Sequence, residues 1–272
     1  KCWLGDMPIR FALLLSCVSL FAIAPARGEE SEATKRVEQY VMEEIGGAGE
    51  NKRLDFVPMS FLSWSNPVFG TTDGGLYIWT SDGRPAVLLK TYKTKKQAWF
   101  EQVRSFSVDR IVARQNATGP TFWSPDRGAE PMKPLQDAAR PAATAVARLV
   151  QMKALHRRFT ARGDLPNAGG QQELRVYPRP LYRYHADQLP DGVIDGGVLA
   201  FVQGTGPDVI LILEARQTPQ GEIWFYTVGS IGIFKVDIFY NDRLVASEPR
   251  RTAQQTRPTD LYAGRRLATT NE

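Results

Sequence analysis

Residues 75–92 read Gly-Leu-Tyr-Ile-Trp-Thr-Ser-Asp-Gly-Arg-Pro-Ala-Val-Leu-Leu-Lys-Thr-Tyr, two apolar runs separated by Ser81–Arg84. An Asp-Gly pair between two apolar runs is typical of a β-hairpin, because glycine adopts the positive φ that the tight turn needs. The stretch therefore predicts two antiparallel strands, over Gly75–Thr80 and Pro85–Tyr92.

A second strand pair is predicted over Gly196–Gln203 and Asp208–Ala215, which contain the continuously apolar runs Val198–Val202 and Val209–Leu213. Strands that are buried on both faces have this composition, and the link Gly204–Pro207 is short enough to pair them antiparallel. Trp99–Ser107 fits either a helix or a strand. Further short strands are predicted over 173–177, 180–183, 222–228 and 231–240.

Two helices are predicted. Glu29–Ile45 has an amphipathic pattern with Ser31 as a possible N-cap, and Gly46 ends it. A long central helix is expected from Pro141 to Arg162, with Gly163 as its cap. Helix, strands, helix and strands follow one another without the alternation of a parallel doubly wound sheet. The prediction is an α+β fold, mainly antiparallel β-sheet, with an N-terminal helix and one long central helix; no internal repeat is evident.

Residues 1–28 have the pattern of a secretory signal peptide. Basic Arg10 precedes the apolar run Phe11–Ala24, and small residues then offer cleavage positions up to Gly28. Residues 1–6 are expected to lie upstream of a start at Met7. The sequence thus predicts export to the periplasm or the extracellular medium, with a lipoprotein anchored through Cys17 as a minor alternative.

The composition is that of an ordinary globular protein: 272 residues, 43% hydrophobic and 23% charged, with a formal net charge of +5. Both cysteines, Cys2 and Cys17, belong to the predicted signal peptide, so the mature protein would have no disulfide and no thiol chemistry. We expect residues 29–247 to form a single domain, or two subdomains joined near 115–140. Residues 248–272 are expected to be a polar flexible tail.

Motifs of common enzymes are missing from the sequence. There is no His-Glu-x-x-His, no P-loop and no Gly-x-Ser-x-Gly, and the only histidines are His156 and His185. Asp187, Asp191 and Asp195 recur at a spacing of four but lack the alternate ligands and the closing Glu of a calcium loop. We therefore nominate no catalytic residue, no metal site and no cofactor, and whether the protein is an enzyme stays open, with a non-enzyme favoured.

One candidate binding segment is Tyr182, Arg183, Tyr184 and His185, which combines aromatic rings with a guanidinium and an imidazole. Such side chains could line a ligand pocket. The alternative interpretation is that the tyrosines are half-buried sheet residues with Arg183 packed beside them.

A second candidate is the basic stretch with Lys90, Lys93, Lys95 and Lys96 beside Trp99. Lysines next to aromatic rings are typical of surfaces that bind polyanions. The alternative is a solvated hairpin end whose lysines protect an edge strand from unwanted pairing.

Two stretches carry a resemblance. Asn66–Gly70 with Gly75–Pro85, and Pro180–Tyr184 with Gly192–Thr205 and Glu214–Arg216, resemble a group of uncharacterised exported proteins of planctomycete bacteria. The likeness covers roughly residues 60–240. It implies a shared fold and export, and it implies nothing about chemistry.

These patterns favour an exported, non-catalytic binding or envelope-associated module, whose partner would be an envelope component or a polyanion. Two alternatives stay open. One is a cofactor-independent hydrolase with a cleft near Tyr182–His185, and the other is a weak polyanion binder that acts through Lys90–Lys96.

Overall fold

The computed structural model describes residues 31–46, 50–58, 63–65, 70–165, 169–185, 189, 192–252 and 255–267. The predicted signal peptide and both cysteines lie outside these ranges, and the described residues from Ser31 onward belong to one compact unit. Neither helix of the described part of the chain has the length and hydropathy of a membrane-spanning segment.

The first half of the chain holds one short helix followed by strands. In chain order they are α1 (Glu32–Val37), β1 (Val41–Ile45), β2 (Asn51–Arg53), β3 (Asp55–Val57), β4 (Thr71–Ser81), β5 (Arg84–Thr94), β6 (Trp99–Ser105), β7 (Arg110–Arg114), β8 (Thr121–Trp123) and β9 (Lys133–Pro134).

The second half has the same order of elements with one additional strand, β13 (Tyr182–His185). They are α2 (Ala145–His156), β10 (Phe159–Asp164), β11 (Gln171–Glu173), β12 (Arg175–Val176), β13 (Tyr182–His185), β14 (Val193–Gln203), β15 (Gly206–Thr218), β16 (Gly221–Ser230), β17 (Val236–Tyr240), β18 (Arg243–Glu248) and β19 (Tyr262–Arg266).

The two halves share one topology. Each forms a small sheet, in the order β2-β1-β7-β8 in the first half and β11-β10-β17-β18 in the second. Each also forms a larger sheet around a three-stranded meander, β3-β4-β5-β6 in the first half and β12-β14-β15-β16 in the second, where β13 also pairs with β14. All of these pairings are antiparallel.

The registers of the two meanders correspond residue by residue. The β4–β5 ladder shifts between Thr71 and Asp73 and again between Trp79 and Thr80. The β14–β15 ladder shifts between Val193 and Asp195 and again between Phe201 and Val202. Two irregularities at matching places in two ladders indicate an internal duplication, since such bulges are specific local features of a strand pair.

A short sequence signature accompanies the duplication. Asp73-Gly-Gly75 and Asp195-Gly-Gly197 occupy matching positions in β4 and β14. A Cβ atom on Gly74 would lie 2.6 Å from the ring of Trp64, and one on Gly196 would lie 2.2 Å from the ring of Tyr184. In both halves the glycine is therefore required so that an aromatic ring can lie directly on the sheet.

The halves also exchange their last strands. β9, at the end of the first half, pairs with β16, whereas β19, at the end of the second half, pairs with β6. The contacts correspond: the Leu135 N–H donates to the Trp224 carbonyl over 2.7 Å, and the Leu267 N–H donates to the Trp99 carbonyl over 3.0 Å. Each half is thus completed by a strand of the other.

Three hydrophobic clusters follow this arrangement. One lies inside the first half and includes Trp79 and Trp123, and one lies inside the second half and includes Phe159 and Trp224. The third is formed between the two large sheets, which pack face to face through side chains such as Leu88 and Ile210. The space between these sheets is where the candidate sites are found.

The hairpin prediction is confirmed, because β4 and β5 pair antiparallel and the turn residues Asp82 and Gly83 have φ values of 47° and 75°. The antiparallel pair β14–β15 is confirmed as well, and Trp99–Ser105 is a strand.

The predicted long central helix is wrong. Helix α2 has 12 residues, capped by the Thr144 hydroxyl and not opened by Pro141, and the chain becomes strand β10 at Phe159. The apolar pattern of 145–159 continues through both elements, so its periodicity did not reveal the boundary. What ends the helix is the pairing of β10 with β17.

The N-terminal helix is shorter than predicted, although Ser31 caps it as expected. Helix α1 ends at Val37, and Val41–Ile45 forms strand β1 beside β7. The region 248–272, expected to be a flexible tail, contributes β19, in which Tyr262 is buried.

Candidate functional site

The segment Tyr182–His185 lies in β13 and is held by structural contacts. The Tyr182 hydroxyl donates to the Gly83 carbonyl over 3.0 Å, and the buried Tyr184 hydroxyl donates to Glu214 over 3.0 Å. The side chain of His185 lies outside the described residues.

Arg183 belongs to a buried ion network. It binds the carboxylate of Asp195 together with Arg148 of helix α2, with contacts of 2.8 Å from each guanidinium. Asp195 is completely buried, so its carboxylate accepts hydrogen bonds from two guanidinium groups at a position that water does not reach. This network fixes α2 on β14 and occupies the guanidinium that the sequence offers to a ligand.

Glu214 holds a second network, which joins the halves. It is fully buried and accepts from Arg84 of β5 over 2.9 Å, from Tyr184 and from Arg216. The described side chains of the predicted Tyr182–His185 site are therefore engaged with the protein's own groups.

The predicted lysine patch is divided by the structure. Lys93 binds Glu32 of helix α1 over 3.0 Å, and the buried Trp99 donates to the same carboxylate over 3.1 Å. Lys95 and Lys96 are exposed at the hairpin end, whereas Lys90 points into the protein. Of the four lysines, two remain available on the surface.

Lys90 lines a cavity of about 220 Å³ between the two halves, which we call the central cavity. It is lined by groups from both halves, namely Trp64, Thr71, Lys90, Tyr92, Gln102, Gln203, Gly206, Asp208, Gly232, Ile233 and Phe234.

An ion pair in the wall of the central cavity joins the two halves. The Lys90 ammonium donates to Asp208 over 3.0 Å and to the Pro207 carbonyl over 2.8 Å. Asp208 also accepts from the Gln203 N–H over 2.9 Å. Because Lys90 and Asp208 neutralise each other, the wall offers polar groups without a net charge.

Gln102 contributes an unsatisfied group to this wall. The residue is 3% exposed, and its Oε1 atom is buried without a hydrogen-bond partner among the described residues. Tyr92 lies on the neighbouring strand, and burial raises the pKa of its hydroxyl to about 12, with a further contribution from Asp208. Its hydroxyl therefore stays protonated and can donate.

The indole of Trp64 forms an apolar side of the central cavity. It lies on Gly74 and beside Gly206, where a Cβ atom would come within 2.6 Å and 3.0 Å of the ring. The Lys90 ammonium is 5.9 Å from the ring centroid. An aromatic face thus stands next to several hydrogen-bonding groups.

A larger cleft of about 650 Å³, which we call the Arg104 cleft, opens beside β6 and β16. Arg104 and Arg251 share the carboxylate of Glu248, with contacts of 2.7 and 2.8 Å. Burial disfavours the charge of Glu248, but the two guanidinium groups outweigh it and hold its pKa below the usual value.

Sequence reasoning identified Lys90 but missed Trp64, Gln102 and Asp208. These residues are distant in the chain and come together only through the packing of the two large sheets. The described ranges contain no cluster of three His, Cys, Asp or Glu side chains that could hold a metal ion.

Comparison of the chain with protein-family models, with curated proteins and with solved structures finds no match. The resemblance to planctomycete exported proteins accordingly remains a prediction.

Proposed function

We propose that the protein is a non-catalytic binding module that holds a small, uncharged molecule with several hydroxyl groups in the central cavity. The observation that carries the proposal is the buried Oε1 atom of Gln102, an acceptor without a donor. Leaving such a group unsatisfied costs about 1–3 kcal/mol. Gln102 lines the central cavity, so a rotation of its amide that turns Oε1 toward the cavity would let a ligand hydroxyl donate to this atom and remove that cost.

The other walls support the same class of ligand. The Lys90–Asp208 pair is internally neutral, which disfavours a ligand that carries a net charge. The Tyr92 hydroxyl and the Lys90 ammonium supply donors, while the Trp64 ring suits the C–H face of a ring-shaped molecule.

The size of the cavity limits the ligand to about one sugar ring. A volume of 220 Å³ corresponds to about seven water molecules at roughly 30 Å³ each. A monosaccharide or a cyclic polyol fits this volume, and an oligomer would have to leave most of its length outside.

The cellular setting of this proposal comes from the sequence. The predicted signal peptide would place the module in the periplasm or outside the cell, where free sugars and envelope glycans are available. The two alternatives receive less support, because Tyr182, Arg183 and Tyr184 serve internal contacts and only Lys95 and Lys96 remain exposed.

Replacing Gln102 with methionine tests the proposal with two readouts. Methionine has a similar length and no acceptor that needs a strong donor, so we expect the free energy of unfolding without ligand to rise by about 1–3 kcal/mol. We expect the affinity for the best ligand among glucose, galactose, mannose and myo-inositol to fall about 5- to 150-fold, measured by calorimetry.

The control is Thr227→Val, because Thr227 occupies the matching position in β16 and does not line the central cavity. It should leave ligand affinity unchanged. Two results would contradict the proposal: none of the four compounds binds, or Gln102→Met binds as tightly as the unaltered protein. A loss of stability in Gln102→Met would show that Oε1 already has a partner, and it would contradict the proposal too.

A further inference from the structure

The outer edges of β6 and β16 occupy matching positions in the two halves. The Trp224 carbonyl accepts from Leu135, so the polar backbone groups of Trp224 point away from β15. Backbone groups alternate along an antiparallel strand, and those of Tyr226 and Val228 therefore point to the same outer side.

In the first half this edge is fully covered. Strand β19 pairs with β6 over five positions, and Ala263 lies opposite Val103, which corresponds to Val228 of the second half. The Ser105 N–H extends the cover by donating to the Leu261 carbonyl over 3.0 Å.

In the second half the cover is incomplete. Strand β9 pairs with β16 only at Phe225 and Tyr226. Continuing that register would bring Pro131 opposite Val228, but proline has no N–H to donate to the strand. The chain there turns to the first half instead, where the Ala129 N–H donates to the Ser107 carbonyl over 2.7 Å.

One N–H and one carbonyl are left open on the β16 edge as a result. Within the part of the chain that the structure describes, the outward backbone groups of Val228 have no partner. The next outward carbonyl, that of Ser230, is already bound by Arg104 over 3.0 Å. Val228 lines the Arg104 cleft, so its open groups border a cavity of about 650 Å³.

We propose that the Arg104 cleft receives an extended peptide segment of a partner protein, which pairs with the backbone of Val228 and adds to the sheet beyond β9. The occupant is inferred from the duplication, because an extended strand, β19, covers the corresponding edge of β6. Adding a strand to an open sheet edge is an established mode of peptide recognition.

The mixed charges of the Arg104 cleft are compatible with a site that recognises the backbone of a bound peptide. Five basic and four acidic side chains line it, so neither sign of ligand is excluded. The contacts that discriminate are then the N–H and the carbonyl of Val228, which match any extended peptide at that position. This inference is independent of the central cavity.

The test uses a fluorescently labelled, end-capped peptide that copies residues 260–267, the segment that forms β19. We expect it to bind the full chain, with an affinity that Val228→Pro lowers about 5- to 150-fold in fluorescence anisotropy, because proline removes the N–H. Val228→Ala also removes the valine side chain but keeps the N–H, and it is expected to bind within about twofold of the unaltered protein.

A second arm leaves the protein unchanged. N-methylation of the peptide at the position of Ala263 removes its own donor, and it should weaken binding by a similar factor. This arm keeps the test valid if Val228→Pro does not fold. Hydrogen exchange of the free protein should show a fast Val228 amide and a slow Val103 amide.

Several results would overturn the inference. They are equal binding of the methylated and unmethylated peptides, a protected Val228 amide in the free protein, and loss of binding in Val103→Pro with retention in Val228→Pro. A concentration-dependent dimer in light scattering that Val228→Pro abolishes would identify a second copy of the chain as the occupant, against a partner peptide.

Discussion

Replacing Asp195 with alanine is expected to lower the free energy of unfolding by about 3–5 kcal/mol. The carboxylate is completely buried and balances Arg148 and Arg183, both at 2.8 Å. Its removal leaves two guanidinium groups without their counter-ion in a largely buried site. Urea unfolding at pH 7, followed by circular dichroism, measures the change.

The duplication supplies the control for this experiment. Asp73 stands at the matching position of β4, but it is only partly buried and forms no salt bridge with a described residue. Burial and the nearby Glu32 raise the pKa of its carboxyl group, so its charge is disfavoured. Asp73→Ala should change stability by less than about 1 kcal/mol. Equal losses in the two variants would contradict a special role for Asp195.

The same pair of residues shows what the sequence could and could not predict. Asp-Gly-Gly occurs twice, yet three shared residues are too few to reveal a duplication when the flanking strands differ. The structure makes it visible through matching bulges and exchanged strands. The sequence does not reveal the role of Asp195, because its two cationic partners, Arg148 and Arg183, come from α2 and β13 and cannot be inferred from spacing.

Local signals predicted the hairpins well. The Asp82-Gly83 turn requires positive φ at both residues, a constraint that the sequence carries within two positions. The continuously apolar runs within β14 and β15 were equally clear, because burial on both faces imposes this composition.

The predicted helices were too long, because the interactions that end them are strand pairings between residues distant in the chain. Val41–Ile45 continues the apolar spacing of α1, but its pairing with β7 makes it a strand. Phe159 continues the stripe of α2 and is a strand residue for the same reason, through β17. Tertiary pairing of this kind overrides a weak local propensity.

The candidate sites depend on contacts of still longer range. Lys90 was selected as a surface cation, but it reaches Asp208 of the other half across the packed sheets. The open edge at Val228 follows from Pro131, and the meaning of that proline is clear only beside the uninterrupted β19. Neither feature has a signature in a single stretch of sequence.

Acidification from pH 7 to pH 5 is expected to lower the free energy of unfolding by about 2 kcal/mol through His156 alone. The residue is 2% exposed, and its burial lowers its pKa to about 4, against an opposing hydrogen bond with the backbone of Ala200 and with a minor contribution from Arg157. Its ring lies nearly perpendicular to that of Phe201, with 4.8 Å between the ring centroids. The folded protein therefore keeps the imidazole neutral.

Acidification destabilises the folded protein because the pKa of His156 is lower in the folded state than in the unfolded chain. In the unfolded chain the imidazole titrates near its ordinary pKa of about 6.5, so between there and about pH 4 the unfolded state binds the additional proton and is favoured. The loss begins as the pH falls through about 6.5 and is complete near pH 4, at roughly 3 kcal/mol. Carboxylates with lowered pKa values, such as Glu248, lose their contribution at lower pH.

Comparing His156 with His156→Leu isolates this contribution. Leucine cannot titrate, and it also removes a buried Nε2 atom that has no partner among the described residues. The variant should therefore be at least as stable at pH 7 and should lose about 2 kcal/mol less than the unaltered protein between pH 7 and pH 5. Parallel pH profiles of the two proteins in urea unfolding would contradict the expectation, because the acid sensitivity in that range would then come from groups other than His156.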